Sequence, residues 1–465
     1  MSGAENLWTH PLDVRRIVEG RRVLPEAIAR LSWSREQVEA EQQRALRQVV
    51  AAAKNGSAFW AEWLDEVDAA TVTAQSLTVA PPVSKETVME NWDALVTDPA
   101  LTLAGANEHL ERLHADAEAP HYFLDRYYLS ATGGSSGKRG VFVWDEGLAT
   151  INPLITYRQQ ILEEQREPSD EPKRTAVICA PRLSHASRFL FPTPVNPDRE
   201  MRVFPADLPI DTLIKELQAY QPDVIVGYAS LVQEVCLEAL QGRLSISPRR
   251  IYTNSEPLLP EIRAAAREAF GIEIHNSWGC VEGGILGVEG DSFSGITLAE
   301  DYNLFEFVND DFQVVKAGDI ASRILLTKLI PGVMPLIRYE VTDSVIFSVA
   351  PNPDAPGYRR ITEICGRADV WFRYGTTKVH PMVFRGVLGQ NPLVGEYQVF
   401  QTTNGARVDV LARNGYVPAT DQESLIHALR KAGLAEPVVQ VQAVTHLQRI
   451  ERTGKLQRFV ALAGE

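Results

Sequence analysis

Three short apolar runs decide the fold: Asp223-Val224-Ile225-Val226, Arg250-Ile251-Tyr252-Thr253 and Ile272-Glu273-Ile274-His275. Each is too short for a helix and rich in β-branched residues, so each reads as a buried strand. Helical spacing fills the gaps between them. Ile210, Leu213, Ile214 and Leu217 recur at three- and four-residue intervals before the first run, and Leu231, Val232, Val235 and Leu240 follow it. Pro260 can open a helix and Gly271 can close it. Strands alternating with helices over 209–279 predict a parallel sheet covered by helices.

Upstream, residues 35–54 set Val38, Leu46, Val49 and Val50 among charged positions after Ser34, the pattern of a capped amphipathic helix in an N-terminal helical region. Downstream of about residue 300 the texture changes, and 320–329 and 344–349 predict strands of a β-rich subdomain. Past the polar turn Gly366-Arg367-Ala368-Asp369, strands at 397–402, 407–412 and 438–444 and a helix at 422–432 predict a small α+β unit. The expected fold class is α/β. A large domain over 1–366 holds helix-covered sheets and the β-rich subdomain, and a small C-terminal α+β domain spans 367–465.

Composition narrows the function. The 465 residues are 45% hydrophobic and 23% charged, as in a soluble globular enzyme, and the length calls for more than one core. With 46 Lys+Arg against 60 Asp+Glu the net charge is −14, which repels nucleic acid and anionic membrane. No segment approaches the roughly 20 apolar residues of a membrane span, and the N-terminus lacks a basic stretch followed by an apolar run. Cys179, Cys236, Cys280 and Cys365 form no C-x-x-C pair. Reduced thiols in a cytoplasmic protein are the expectation.

Four clusters carry chemistry. Thr132-Gly133-Gly134-Ser135-Ser136-Gly137-Lys138 stands between two strand-like runs, and its backbone N–H groups, hydroxyls and lysine suit phosphate oxygens. A Walker loop would need glycine at Thr132 and Ser or Thr at Arg139. His275-Asn276-Ser277-Trp278-Gly279-Cys280-Val281-Glu282-Gly283-Gly284 offers a flat indole for a purine and a hard oxygen, Glu282, for Mg²⁺. In Pro335-Leu336-Ile337-Arg338-Tyr339-Glu340-Val341-Thr342-Asp343 the final carboxylate can accept ribose hydroxyls. Arg449-Ile450-Glu451-Arg452-Thr453-Gly454-Lys455-Leu456-Gln457-Arg458 is basic and near the C-terminus. Taken singly, they read equally as a flexible loop, a strand-end turn, an exposed aspartate and a solvated tail.

Together, in order and spacing, they resemble the adenylate-forming superfamily, and within it the phenylacetate–coenzyme A ligase branch. The family's S-S-G-T-T-G-K-P loop is matched at 132–139, its G-A-E-P by Asn254-Ser255-Glu256-Pro257, and its Y-G-x-x-E by Trp278-Gly279-Cys280-Val281-Glu282. P-L-I-R-Y-x-x-x-D is met letter for letter from Pro335 to Asp343, G-R-x-D by Gly366 to Asp369, and G-K-x-x-R by Gly454 to Arg458. The likeness runs from about residue 120 to the end. Arg139 replaces a proline, Trp278 a tyrosine, and Glu451 the first arginine of the terminal motif.

The resemblance implies a two-step reaction: an acid and ATP give acyl-AMP and pyrophosphate, and an acceptor then displaces AMP. It implies that Lys455 bridges the carboxylate and the α-phosphate, that Glu282 holds Mg²⁺, and that residues 132–138 hold the β- and γ-phosphates. Asp343 and Arg367 would fix the ribose. Ser255, Glu256, Pro257, Asn276, Ser277, Trp278 and Gly279 would frame the adenine. The small domain would be mobile about Asp369. Acid-pocket candidates are His185, Phe189, Tyr228, Ser230, Gly283 and Gly284. The expected partners are a small acid, aromatic or short, and coenzyme A or another acyl acceptor such as an amine or carrier-protein thiol. Nitrite in place of the acid, a non-catalytic nucleotide binder, and a homodimer stay open.

Overall fold

The computed structural model describes residues 10–116, 119–132, 140–164, 173–181, 185–190, 199–367, 372–379, 382–389, 391, 393–450 and 456–462. Five parallel strands lie in the order Arg199–Pro205, Lys173–Cys179, Val224–Tyr228, Arg250–Asn254 and Ile274–Cys280. The helices Ile210–Tyr220, Ala229–Leu240 and Pro260–Phe270 cover one face, burying Leu213, Leu217, Val232, Val235, Ile262 and Ala265. Gly271 ends the last helix with φ at 72°, the left-handed conformation glycine adopts at no steric cost. The alternation read from 209–279 is therefore present.

Five antiparallel strands then widen this sheet to ten: Gly284–Glu289, Ile296–Leu298, Arg360–Arg367, Asp343–Ser348 and Ile320–Ala321. The β-rich segment after residue 300 is thus divided. The single strand expected over 320–329 changes sheet at Ser322. Ala321 pairs with Val345 at the edge of the large sheet, whereas Ile324 pairs with Val341 in a three-stranded sheet of Asn303–Val308, Arg323–Lys328 and Tyr339–Val341. The strand expected over 272–275 runs on to Cys280, so residues 276–279 lie within it.

Helices Pro11–Arg30 and Arg35–Gly56 precede the sheets. Ser34 caps the second with a reciprocal box: it accepts from the Gln37 amide, and Gln37 Oε1 accepts from the Ser34 amide at 2.9 Å. Its buried stripe of Val38, Leu46, Val49 and Val50 is the one read from the sequence. Toward the C-terminus a four-stranded sheet, in the order Val438–Val444, Gly405–Ala412, Val394–Thr402 and Phe459–Val460, packs on helix Pro418–Lys431. It closes a separate core around Val399, Val408, Leu425 and Leu429.

Glu163, His275 and Asp291 cluster with the spacing of metal ligands. The Arg250 guanidinium already lies among them, 2.7 Å from Asp291, 3.3 Å from Glu163 and 3.4 Å from His275 Nε2. A resident cation fills this cluster. Burial is the main force pushing the Glu163 carboxyl up to about 7; Asp291 adds to it, while bonds from Gln159 and Tyr252 and the Arg250 charge oppose it. Burial likewise pushes His275 down to about 4. A carboxyl whose folded pKa is raised holds its proton better when folded, so its contribution to stability is lost as pH rises through about 7. His275 works in the opposite sense, losing stability as pH falls toward 4. Glu163→Gln should therefore make the change in Tm between pH 5 and pH 8 more positive than in the parent. Calorimetry at both pH values checks this, and an unchanged difference counts against a raised Glu163.

Candidate active site

Strands Tyr128–Ala131 and Val141–Trp144 pair antiparallel, with Ala131 opposite Val141. The turn between them is pinned at its base. The Thr132 amide donates to Gly140 O at 2.9 Å, and the Gly140 amide to Thr132 Oγ1 at 2.8 Å. The loop thus joins two strands, as its flanks predicted. Gly133, Gly134, Ser135, Ser136, Gly137 and Lys138 lie outside the described residues, as do Asp369 and Lys455.

The carboxyl ends of the parallel strands face the adenine-segment residues. Asn254 ends one strand and Ser255 follows with φ at 64°, a left-handed conformation unusual for a side-chain-bearing residue. Its hydroxyl donates to Asn254 Oδ1 at 2.9 Å. The Glu256 side chain is engaged in hydrogen bonds. Its Oε2 accepts the Ser230 amide at 2.9 Å, and its Oε1 accepts the Leu456 amide at 2.7 Å. This carboxylate joins the first turn of helix Ala229–Leu240 to the C-terminal segment.

A second contact lies beside it. Arg449 donates from Nη1 to Ser230 Oγ at 2.9 Å and from Nη2 to Glu234. Arg449 and Leu456 form an isolated bridge that brackets residues 450–455. Arg458, from the same motif, is anchored inside the small unit on both oxygens of buried Glu396. The described residues of this motif are therefore tied to one unit through Arg458 and to the other through Arg449 and Leu456.

Trp278 departs from the expectation of an open indole face. Because it lies in a strand, its side chain points to one sheet face, where it is 6% exposed beside Phe305. Its Nε1–H donates to Asp343 Oδ2 at 2.8 Å. Asp343 begins its strand opposite Arg367, whose side chain is outside the described set. Asn276 and Ser277 are buried in the same strand; Asn276 receives Thr253 Oγ1 at 3.2 Å. Pro257 follows Glu256 in the turn before Leu259.

Glu282 sits in the turn between two antiparallel strands and accepts the Tyr339 hydroxyl at 3.1 Å. Close approach fixes this turn. A Cβ on Gly279 would meet Gly284 O at 2.1 Å, and Gly284 has φ at 73°. The side chains of Asn152 and Trp144 press on Gly284, and Leu326 on Gly283. Both glycines are thus closely packed, with no room for a side chain. Two residues missed by sequence reading hold this turn. Asn152 donates to Ile285 O at 3.1 Å and accepts the Ile285 amide at 2.9 Å. Buried Lys328 donates to Gly283 O at 2.7 Å, and burial pushes its pKa down to about 8. Neither stands within a motif of the usual residue types, so only the fold reveals them. Arg338 is structural. It bonds both oxygens of Glu306 at 2.9 Å and pins Thr78 O at 3.1 Å.

The other pocket candidates gather at one place. His185 O accepts the Tyr128 hydroxyl at 2.9 Å, and the Tyr128 and Phe189 rings stack at 3.6 Å. The Tyr228 hydroxyl meets Ser187 Oγ at 2.8 Å. Ser230 is the exception, since its hydroxyl serves Arg449 at the junction between units.

No protein-family profile matches the chain. Among curated proteins, Protein CapK of Staphylococcus aureus is 21% identical over 302 residues, 63% of this chain and 59% of that protein, so less than two thirds of that relative is matched. Crystal structures of 2-hydroxyisobutyryl-CoA ligase are similar over nearly the whole chain. The postadenylation state with 2-HIB-AMP gives a TM-score of 0.72 at 15% identity, covering 93% of this chain and 91% of that one. The open conformation with 2-HIB-AMP and CoA gives 0.60 at the same identity, covering 93% of each. Anthranilate CoA ligase AuaEII with anthranoyl-AMP gives 0.52 at 18% identity, covering 72% of this chain and 66% of that one. No helix among the described residues is long and apolar enough to cross a membrane.

The junction gives a structural test. Arg449→Glu should raise hydrogen exchange of the Leu456 amide by about tenfold, the scale of one partly buried charged hydrogen bond. Glu234→Arg in the same chain should restore protection. Equal protection in all three proteins would mean that the ion pair does not hold the units together. With this similarity to those ligases over 93% of its length, the chain has the adenylate-forming ligase fold.

Proposed function

We propose that the chain uses ATP to convert a small carboxylic acid to an acyl-adenylate with release of pyrophosphate, and then passes the acyl group to coenzyme A. The observation that supports this best is the seat of the Leu456 amide on Glu256, at the carboxyl end of the parallel sheet. It brings the G-K-x-x-R segment to the turn that would frame the adenine. The higher TM-score with the postadenylation state than with the open state agrees with this arrangement.

In this reading residues 1–366 bind nucleotide and acid, and residues 367–465 bring Lys455. Attack of one anion on another needs charge neutralisation and alignment more than proton transfer. Lys455 supplies the charge at the α-phosphate. Gly133, Gly134, Ser135, Ser136, Gly137 and Lys138 wrap the outer phosphates. Asp343 accepts the ribose hydroxyls while the Trp278 N–H holds its carboxylate in one orientation, and Arg367 stands across from it. A single carboxylate supported by a tyrosine hydroxyl suits Mg²⁺, which takes most of its other ligands from water and phosphate. Glu282 would hold that ion, and the ion would neutralise phosphate charge. Transfer to coenzyme A would follow rotation of the small unit about Asp369, releasing Arg449 and Leu456. Coenzyme A as acceptor draws on the relatives crystallised with it.

Lys455→Ala should slow acid-dependent ATP–pyrophosphate exchange by about a hundredfold or more, while synthetic acyl-adenylate still yields the thioester. Unaltered exchange would sink the adenylation role of Lys455. Trp278→Phe keeps the ring and removes the N–H. It should weaken AMP binding by roughly 1 kcal/mol, the worth of one hydrogen bond, measured by titration calorimetry. An unchanged dissociation constant would remove Asp343 from the ribose site.

A further inference from the structure

Arg188, itself partly exposed, stands apart from the other arginines that hold a buried nitrogen without a hydrogen bond. In Arg16, Arg158, Arg199, Arg323 and Arg407 a buried Nε makes no hydrogen bond, yet each side chain pairs with a carboxylate: Asp13, Asp301, Glu164, Glu340 and Asp409. Arg188 leaves both Nε and Nη1 buried and without a hydrogen-bond partner. No carboxylate among the described residues pairs with it. Its neighbour is the buried Cys179 thiol, which burial pushes up to about 11 and which is therefore neutral. A neutral thiol is a poor partner for a guanidinium, and two buried donors left without good hydrogen bonds call for an explanation.

Position supplies one. Strand Lys173–Cys179 lies between Arg199–Pro205 and Val224–Tyr228. From the first strand the chain moves to the edge, whereas from Val224–Tyr228 it moves the other way, to Arg250–Asn254. The crevice at the carboxyl ends of two such strands is where open parallel sheets take their ligands. Arg188 follows one of these strands, and the Ser187–Tyr228 bond spans their ends. Tyr228 lies within electrostatic reach of both Cys179 and Glu256, and Glu256 accepts the Leu456 amide.

We propose that Arg188 is a subsite for a second anionic group on the acid, distal to the carboxylate that is activated, so that the preferred substrates are dicarboxylic acids. This rests on the adenylation reading above. The far end of the acid pairs with the Arg188 nitrogens, while the near carboxylate points toward the phosphates. A bidentate guanidinium–carboxylate pair gives both charge and orientation.

The test compares succinate with butyrate, and isophthalate with m-toluate, in ATP–pyrophosphate exchange. The parent should favour each diacid over its partner in kcat/KM, and Arg188→Met should cut that ratio by about tenfold or more, mostly through KM. Arg188→Lys should restore part of it. Without ligand, Arg188→Met should melt a few degrees higher than the parent, because two buried donors without hydrogen bonds are gone. Diacids should raise the Tm of the parent and not of Arg188→Met. If exchange occurs with no diacid preference, or if Arg188→Met melts lower, the subsite is overturned while adenylation stands. If no acid supports exchange but diacids still stabilise the parent alone, the subsite stands and the adenylation reading falls.

Discussion

The Glu256 carboxylate accepts one hydrogen bond from each of two units: the Ser230 amide of its own unit, and the Leu456 amide of the small unit, 200 residues further along the chain. Much of the candidate site depends on that meeting. The sheet alone presents a turn with a strained Ser255, and the small unit alone presents a terminal segment anchored by Arg458 on Glu396. Only when they meet does the C-terminal segment at Leu456 reach the Ser255–Glu256 turn that we propose frames the adenine. The contact is suited to being temporary. Among the described residues it includes one amide–carboxylate bond, from Leu456 to Glu256, the hydrogen bonds Arg449–Ser230 and Gln233–Gly395, and the partly exposed Arg449–Glu234 ion pair, polar contacts worth about a kcal/mol each. A hydrophobic seam of the kind that fills the separate core of the small unit would hold it too firmly for two steps of one cycle.

Much of this was legible in the sequence. The strands and helices over 209–279 could be read because buried parallel strands are short, β-branched and bounded by turn residues. Ser34 and Gly271 announced their caps by residue type. Other features were hidden for physical reasons. The strand ending at Cys280 includes residues such as Asn276 and Gly279 that seldom favour strands, and tertiary pairing overrides them. Trp278 looked like a stacking platform, because an indole's burial is not written in its own segment. The Ser322 sheet change depends on Val345 and Val341 far downstream.

The least legible residues act through others. Lys328 and Asn152 grip backbone atoms of the Glu282 turn from distant elements, and a backbone carbonyl leaves no sequence signature. Glu256 belonged to a motif, but its role came from its two partners. Arg188 has no motif, and it is conspicuous only because every comparable arginine found a carboxylate. Charges held at some cost to stability mark the working end of this sheet, whereas the Arg250 network shows the same residue types satisfying one another.

The central claim is that an acid oxygen attacks the α-phosphate of ATP. It is tested most directly by following a heavy-oxygen label placed in the carboxylate of an accepted acid through a complete turnover with coenzyme A. The account predicts that one labelled oxygen appears in AMP and none in pyrophosphate. Label in inorganic phosphate, with ADP as the nucleotide product, would show attack at the γ-phosphate and contradict it.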